Sequence, residues 1–162
     1  MDRSPLLLVT GCLCTLLACE APTPSPDLTA EQDAVHNALV QGVLAFENHD
    51  WPAYAALWAK DPGISIVHPG AREWVDGWEA VGKKYRAVIS DTSIHITATT
   101  FRQDIHVSPS GDVAWVTQQD TLSFAQNGQS QALLQWSTAI LEKREGAWKL
   151  VHAHASQMPL QQ

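Results

Sequence analysis

The chain has 162 residues, 45% of them apolar and 17% charged, which suits one domain with a buried core and excludes a wholly disordered chain. Ten Lys and Arg against seventeen Asp and Glu give a formal charge of −7, which excludes a nucleic-acid binder working through phosphate contacts. Three cysteines and seven tryptophans are the unusual counts.

All three cysteines fall early, in the apolar run Leu6–Cys19 that follows a head with one cation, Arg3. A membrane-crossing helix needs about 20 apolar residues, whereas the core of an export signal needs about 7–15. The run therefore reads as an export signal over residues 1–18. Leu16-Leu17-Ala18-Cys19 resembles the bacterial lipobox, in which the cysteine is acylated and becomes the new N-terminus. Val9-Thr10-Gly11-Cys12 also fits, but it leaves an apolar core of only about 5 residues, so Cys19 is the expected lipidation site. The plainer alternative is a cleaved signal with incidental cysteines. Either way the mature segment lacks a disulfide or a thiol nucleophile, and it keeps the whole −7 charge. Residues 19–27, with alternating prolines at 22, 24 and 26, read as a stiff tether. The expected location is the bacterial cell envelope, with the lipid as the membrane partner.

Helical periodicity starts after Asp27, with Thr29 and Gln32 spaced as a capping box and Val35, Leu39, Val43 and Phe46 forming an apolar stripe. Asp50 and Pro52 open a short second helix with Tyr54, Leu57 and Trp58 inward. Residues 64–68 are β-like, residues 73–75 return as a partner, and Gly77 precedes a third helix bearing Trp78, Val81, Tyr85 and Val88. Four long period-two runs follow, over residues 93–107, 112–125, 130–143 and 147–156. Asn127-Gly128 and Glu145-Gly146 supply two of the hairpin turns between them. The expected fold is α+β: a cone-shaped, curved antiparallel sheet, made of a four-strand meander plus a short hairpin, packed against three N-terminal helices. The domain is expected over residues 28–159.

This order, with Val75-Asp-Gly77-Trp-Glu-Ala-Val81 after the hairpin and Trp148-Lys-Leu-Val-His-Ala-His-Ala-Ser156 at the end, resembles the SnoaL-like members of the nuclear transport factor 2-like superfamily. Within it, the sequence is similar to the association domain of calcium/calmodulin-dependent protein kinase II. The resemblance implies a cone enclosing one pocket, and dimers formed through the sheet. It covers enzymes (isomerases, dehydratases, cyclases) as well as assembly modules, so it implies fold more than function. The arginines and helix histidine of the kinase domain's pocket fall here on Thr117, Ala139, Ala155 and Val81, none of them charged. Strand alternation from Thr117 and Ala139 then places Trp115, Gln119 and Ser137 inward too, with Trp58 and Tyr85 closing the space. The expected ligand is a small neutral organic molecule; a filled core with no ligand is the alternative.

The remaining candidates are fewer. His68 and Tyr85 are the residues placed best for acid–base chemistry, while Asp120 and Asp104 alternate outward. His152 and His154 share one strand face, but no third ligand is evident, so no metal and no cofactor is expected. Trp136, Trp148, His152 and His154 are expected together on the outer sheet face as an interface for a homodimer. His36 and His49 read as solvent-facing.

Overall fold

The computed structural model describes residues 25–69 and 73–157. The expected signal, Cys19 and most of the tether lie outside the described residues.

Helix α1 (Leu28–Glu47) starts where the Asp27 carboxylate accepts hydrogen bonds from the Thr29 and Ala30 N–H groups at 3.1 and 3.2 Å. Asp27, and not the expected Thr29–Gln32 box, is thus the cap. Gln32 instead donates its amide to the Ile105 carbonyl at 3.0 Å, tying the helix to the sheet. Asp50 caps α2 (Trp51–Leu57) through the Ala53 N–H, with Pro52 in the first turn as expected. Helices α1 and α2 meet at Gly42, where a Cβ would lie 2.5 Å from Leu57 Cδ2. Strands β1 (Ser65–Val67) and β2 (Val75–Asp76) form the short hairpin, and α3 (Trp78–Ile89) follows.

The meander comprises β3 (His95–Val107), β4 (Val113–Gln126), β5 (Gln129–Arg144) and β6 (Ala147–Gln157). Asn127-Gly128 and Glu145-Gly146 both have positive φ, at 52° and 76° and at 53° and 80°, as a two-residue hairpin turn requires. The sheet is curved and unclosed, in the order β2-β1-β6-β5-β4-β3. It is not wholly antiparallel: β1 runs parallel to β6, with Ser65 opposite His152 and Val67 opposite His154. No hairpin joins these two strands, so nothing local fixes their relative direction.

Two register shifts shape the meander. Thr100 pairs with Asp120 and Arg102 with Gln119, so Phe101 is an extra residue in β3. Ile140 pairs with His152 and Leu141 with Leu150, so Val151 is an extra residue in β6. The second bulge inverts the facing of the start of β6. Trp148, expected on the outer face with His152 and His154, is buried in the core with Leu150. Around it pack Val35, Trp58, Ile64, Ile66, Val81, Ala114, Val116 and Leu141.

The narrow end of this core is closed by Glu31. Its carboxylate accepts from Lys143 Nζ at 2.5 Å and from Trp148 Nε1 at 3.0 Å, joining α1 to β5 and β6. The Lys143 hydrogen bond holds the Glu31 carboxyl below the usual carboxylate range against an opposing contribution from burial, and the Trp148 N–H adds to the lowering. A carboxyl lowered by folding stabilises above its unfolded pKa, and that stability is lost as pH falls through the folded value. Glu31→Gln is therefore expected to be less stable than the parent at neutral pH, with the gap closing in acid. Urea unfolding across a pH series measures it, and a gap that is constant with pH would show that the contact works by packing alone.

Candidate functional site

The concave face of the sheet is graded in polarity along the strands. Cross-strand rows on β3, β4 and β5 run Val107–Ala114–Leu141, then Ile105–Val116–Ala139, then Gln103–Gln118–Ser137, and finally Thr100–Asp120–Gln135. Ala114, Val116 and Leu141 are fully or almost fully buried, and so are the polar Asp120 and Gln135 at 4% and 6% exposure. The apolar rows carry the core, and the polar rows continue the same face beyond it.

A side-chain chain of hydrogen bonds crosses those polar rows. His36 Nδ1 lies 2.7 Å from Gln103 Oε1, and Gln103 Nε2 donates to Gln118 Oε1 at 3.1 Å. Gln118 Nε2 and Ser137 Oγ both donate to Asp120 Oδ2, each at 2.8 Å. One carboxylate oxygen is thereby fixed. The other, Asp120 Oδ1, is buried with no partner, as is Gln135 Oε1 on the neighbouring strand. Among the described residues, the two other buried side-chain atoms without a partner are Trp58 Nε1 and His68 Nε2. Native structures leave few such atoms, and each requires an explanation.

Trp58 and His68 belong to an aromatic cluster packed on the apolar core by the helices. Tyr85 on α3 is its centre, with ring centroids 5.0 Å from Tyr54, 5.5 Å from Trp58, 5.5 Å from His68 and 6.4 Å from Phe46. Burial pushes the Tyr85 phenol up to about 12 and raises Tyr54 well above the ordinary phenol range. Both stay protonated donors. Burial lowers His68, and the Lys84 ammonium lowers it further, so its ring is held neutral at neutral pH.

The structure brings together Trp58, Val81, Tyr85, His68, Ser137, Ala139 and Ala155 on the inner side, as the sequence suggested. It does not bring Trp115, Thr117 and Gln119 there. Thr117 pairs with Thr138 on the outer face, and Ala139 pairs instead with Val116, so Thr117 and Ala139 cannot both point inward. Thr117 and Gln119 line a shallow outer cleft of about 210 Å³ with Arg102, Asp104 and Trp136, and Trp115 stacks on His106 at 5.3 Å. The one-residue displacement turns Asp120, expected outward, into the buried carboxylate of the concave face. Gln103, Gln118 and Gln135 turn inward with it, while His36, at the outer end of the hydrogen-bonded chain, is exposed as expected. The available signal was Val116, the most apolar side chain among residues 115–120: placed inward, it carries Gln118 and Asp120 inward too.

Other histidines resolve plainly. His49, expected to face solvent, is half-buried and its Nδ1 lies 2.8 Å from the Ile89 carbonyl. His152 meets Ser65 Oγ at 2.8 Å on the outer side of the sheet, and burial, with His154 beside it, lowers its pKa. Trp136 and His154 are exposed. Among the described residues, no three His, Cys, Asp or Glu side chains converge as metal ligands.

Residues 35–161 match the SnoaL-like domain family, and the chain belongs to it. A candidate dehydratase of the nuclear transport factor 2-like family from Streptomyces avermitilis is 26% identical, with a TM-score of 0.71 over 82% of this chain and 99% of that one. A candidate calcium/calmodulin-dependent protein kinase II association domain from Xanthomonas campestris shares the fold at 18% identity, with a TM-score of 0.67 over 86% and 98% of the two chains. So does a ketosteroid isomerase-like protein from Erwinia carotovora atroseptica, at 19% identity and a TM-score of 0.63 over 80% and 98%. No curated protein matches the chain.

The chain has only two tyrosines, Tyr54 and Tyr85, and both are held protonated. Alkaline titration followed by the tyrosinate absorbance band is expected to stay silent through the ordinary phenol value of 10.0 and to rise together with unfolding. A rise at that pH in the folded protein would mean that water reaches the cluster.

Proposed function

We propose that this protein is a lipid-anchored SnoaL-like domain of the cell envelope whose concave sheet face binds a small, uncharged organic molecule. One observation carries the reading: Asp120 Oδ1 and Gln135 Oε1, at paired positions of β4 and β5, are buried without partners, as is His68 Nε2. Leaving such atoms unmet costs about 1–3 kcal/mol each, a cost that a ligand with a hydroxyl and a carbonyl would remove. Native mass spectrometry of the detergent-extracted full chain is expected to show a bound small molecule. The Asp120→Leu/Gln135→Leu double variant is expected to lose it. Equal retention by the variant would place the ligand elsewhere.

A second reading, acid–base catalysis, is favoured by the inward carboxylate. Asp120 has one oxygen fixed by Gln118 and Ser137 and one free toward the interior, the arrangement a proton acceptor needs. In such a step Asp120 would take a proton from a carbon beside a carbonyl while the electron pair moves to the carbonyl oxygen. Tyr85, kept protonated, is the donor from the helical wall. Exchange of solvent deuterium into cyclohexanone is the probe. Asp120→Asn is expected to lower an enzyme-dependent rate by about 100-fold or more; an unchanged rate would leave binding as the function.

The anchor and the assembly are separate parts of the proposal. The run ending in Ala18-Cys19 supports acylation, so the full chain should partition into detergent and Cys19→Ala should not. Trp136, 48% exposed on the same outer face as exposed Ile140 and Trp115, supports a dimer through that face. Sedimentation is expected to show a dimer for the parent and a monomer for Trp136→Glu.

A further inference from the structure

Outside the cone, α2 and α3 flank an open cleft of about 530 Å³. Trp51 and Trp78 stack there with ring centroids 5.9 Å apart and planes 9° apart. Lys83 and Arg86 line the same space from α3, and Lys60 Nζ lies 5.6 Å from the centre of the Trp78 ring. Glu79 is the one acid of the lining.

Two independent features indicate that this cleft is built to receive something. The first is Gly82. A glycine inside a helix costs about 1 kcal/mol against alanine, yet α3 keeps one at the foot of the indole. A Cβ at position 82 would lie 3.2 Å from Trp78 Cζ2 and 3.3 Å from Cε2, so alanine would require the indole to shift by a few tenths of an ångström. The second feature is the distribution of charge. Arg102, Lys143 and Arg144 are each in salt bridges, and Lys149 donates to the Ala56 carbonyl. Among the described residues, Lys60, Lys83, Lys84 and Arg86 form no salt bridge, and Lys84 is close enough to His68 to lower its proton affinity. Among the described residues, three of these four cations, Lys60, Lys83 and Arg86, lie at the aromatic cleft, while Lys84 lies toward His68.

We propose that the cleft between α2 and α3 is an anion site for a phosphate ester bearing a flat or apolar group. The organic group lies against Trp51 and Trp78, and Lys83 and Arg86 hold the phosphate, Arg86 offering the paired donors that suit it. Such an ester reaches the site either as the headgroup of an anionic lipid or as a soluble compound. The site is separate from the concave face and stands whether or not that face binds a ligand.

The test uses the full chain with Cys19→Ala, so that no acyl group carries it to a bilayer. Phenyl phosphate is titrated by calorimetry with tryptophan fluorescence as a second readout, and vesicles of phosphatidylglycerol are compared with vesicles of phosphatidylcholine. Saturable binding of phenyl phosphate, or preference for phosphatidylglycerol vesicles, is expected. The Lys83→Ala/Arg86→Ala variant should weaken it about tenfold or more, with circular dichroism confirming that it is folded. Gly82→Ala retains every charge and should weaken binding without lowering the melting temperature. Binding confined to vesicles identifies a lipid headgroup; binding confined to phenyl phosphate identifies a soluble ester. Absence of both, equal binding by the charge variant, or equal competition by uncharged phenyl glucoside would overturn the proposal.

Discussion

Two extra residues, Phe101 in β3 and Val151 in β6, decide which side chains enter the cone. Side chains alternate strictly along a strand, so a single inserted residue exchanges the inner and outer sets on one side of it. In β6 this lets Trp148 and Leu150 point into the core while His152, two residues past Leu150, points out to meet Ser65. Without the bulge the indole would face solvent, and Glu31 would keep Lys143 as a partner but lose Trp148. In β3 the bulge leaves Phe101 63% exposed and keeps Gln103 in line with Gln118 and Ser137. Both the stability of the closed end and the polar rows of the open end depend on these two insertions.

The concave face divides its work along its length. The apolar rows and the helices supply a core that buries Val35, Ile64, Val81 and Leu141 completely. That stability offsets the buried polar atoms further along, which would otherwise destabilise the fold. The polar rows are not simply tolerated: the chain His36–Gln103–Gln118 leads to Asp120 and fixes one of its oxygens, leaving the other directed and unmet. A fully satisfied network would be structural. One satisfied except at its end leaves a directed acceptor, which the proposed ligand would meet.

The fold was legible because its signals are local. Asp50 with Pro52, the Asn127-Gly128 pair and the switch from period 3.6 to period 2 each act over a few residues. Facing was legible only where no bulge or borrowed register intervened: Ser137, Ala139 and Trp136 on β5 lie as alternation predicts. On β4 the reading was anchored at Thr117 by likeness to another pocket, and the true anchor is Val116. On β6 nothing in residues 147–157 announces the inserted Val151, because its consequence, Trp148 bonded to Glu31, joins positions 117 residues apart. The parallel pairing of β1 with β6 is likewise a long-range outcome that no turn encodes. Alternation from Thr117 points Asp120 outward, whereas alternation from Val116 points it inward, where the structure has it.

Net charge is a poor guide to the chemistry of either the concave face or the α2–α3 cleft. The −7 of the chain is a sum over a surface on which Arg102 and Arg144 are already matched to Asp104, Asp61 and Glu142. Screening confines the influence of exposed charges to about 8–10 Å at physiological ionic strength. What a ligand meets is therefore set by the few side chains at the opening it enters. At the concave face those are an unmet carboxylate oxygen, neutral amides and phenols that stay protonated. At the α2–α3 cleft they are indoles and unmatched cations, with Glu79 alone opposing them. An acidic domain can thus present an acceptor-rich interior and a cationic exterior cleft at once, because each is defined over distances shorter than those over which the total charge acts.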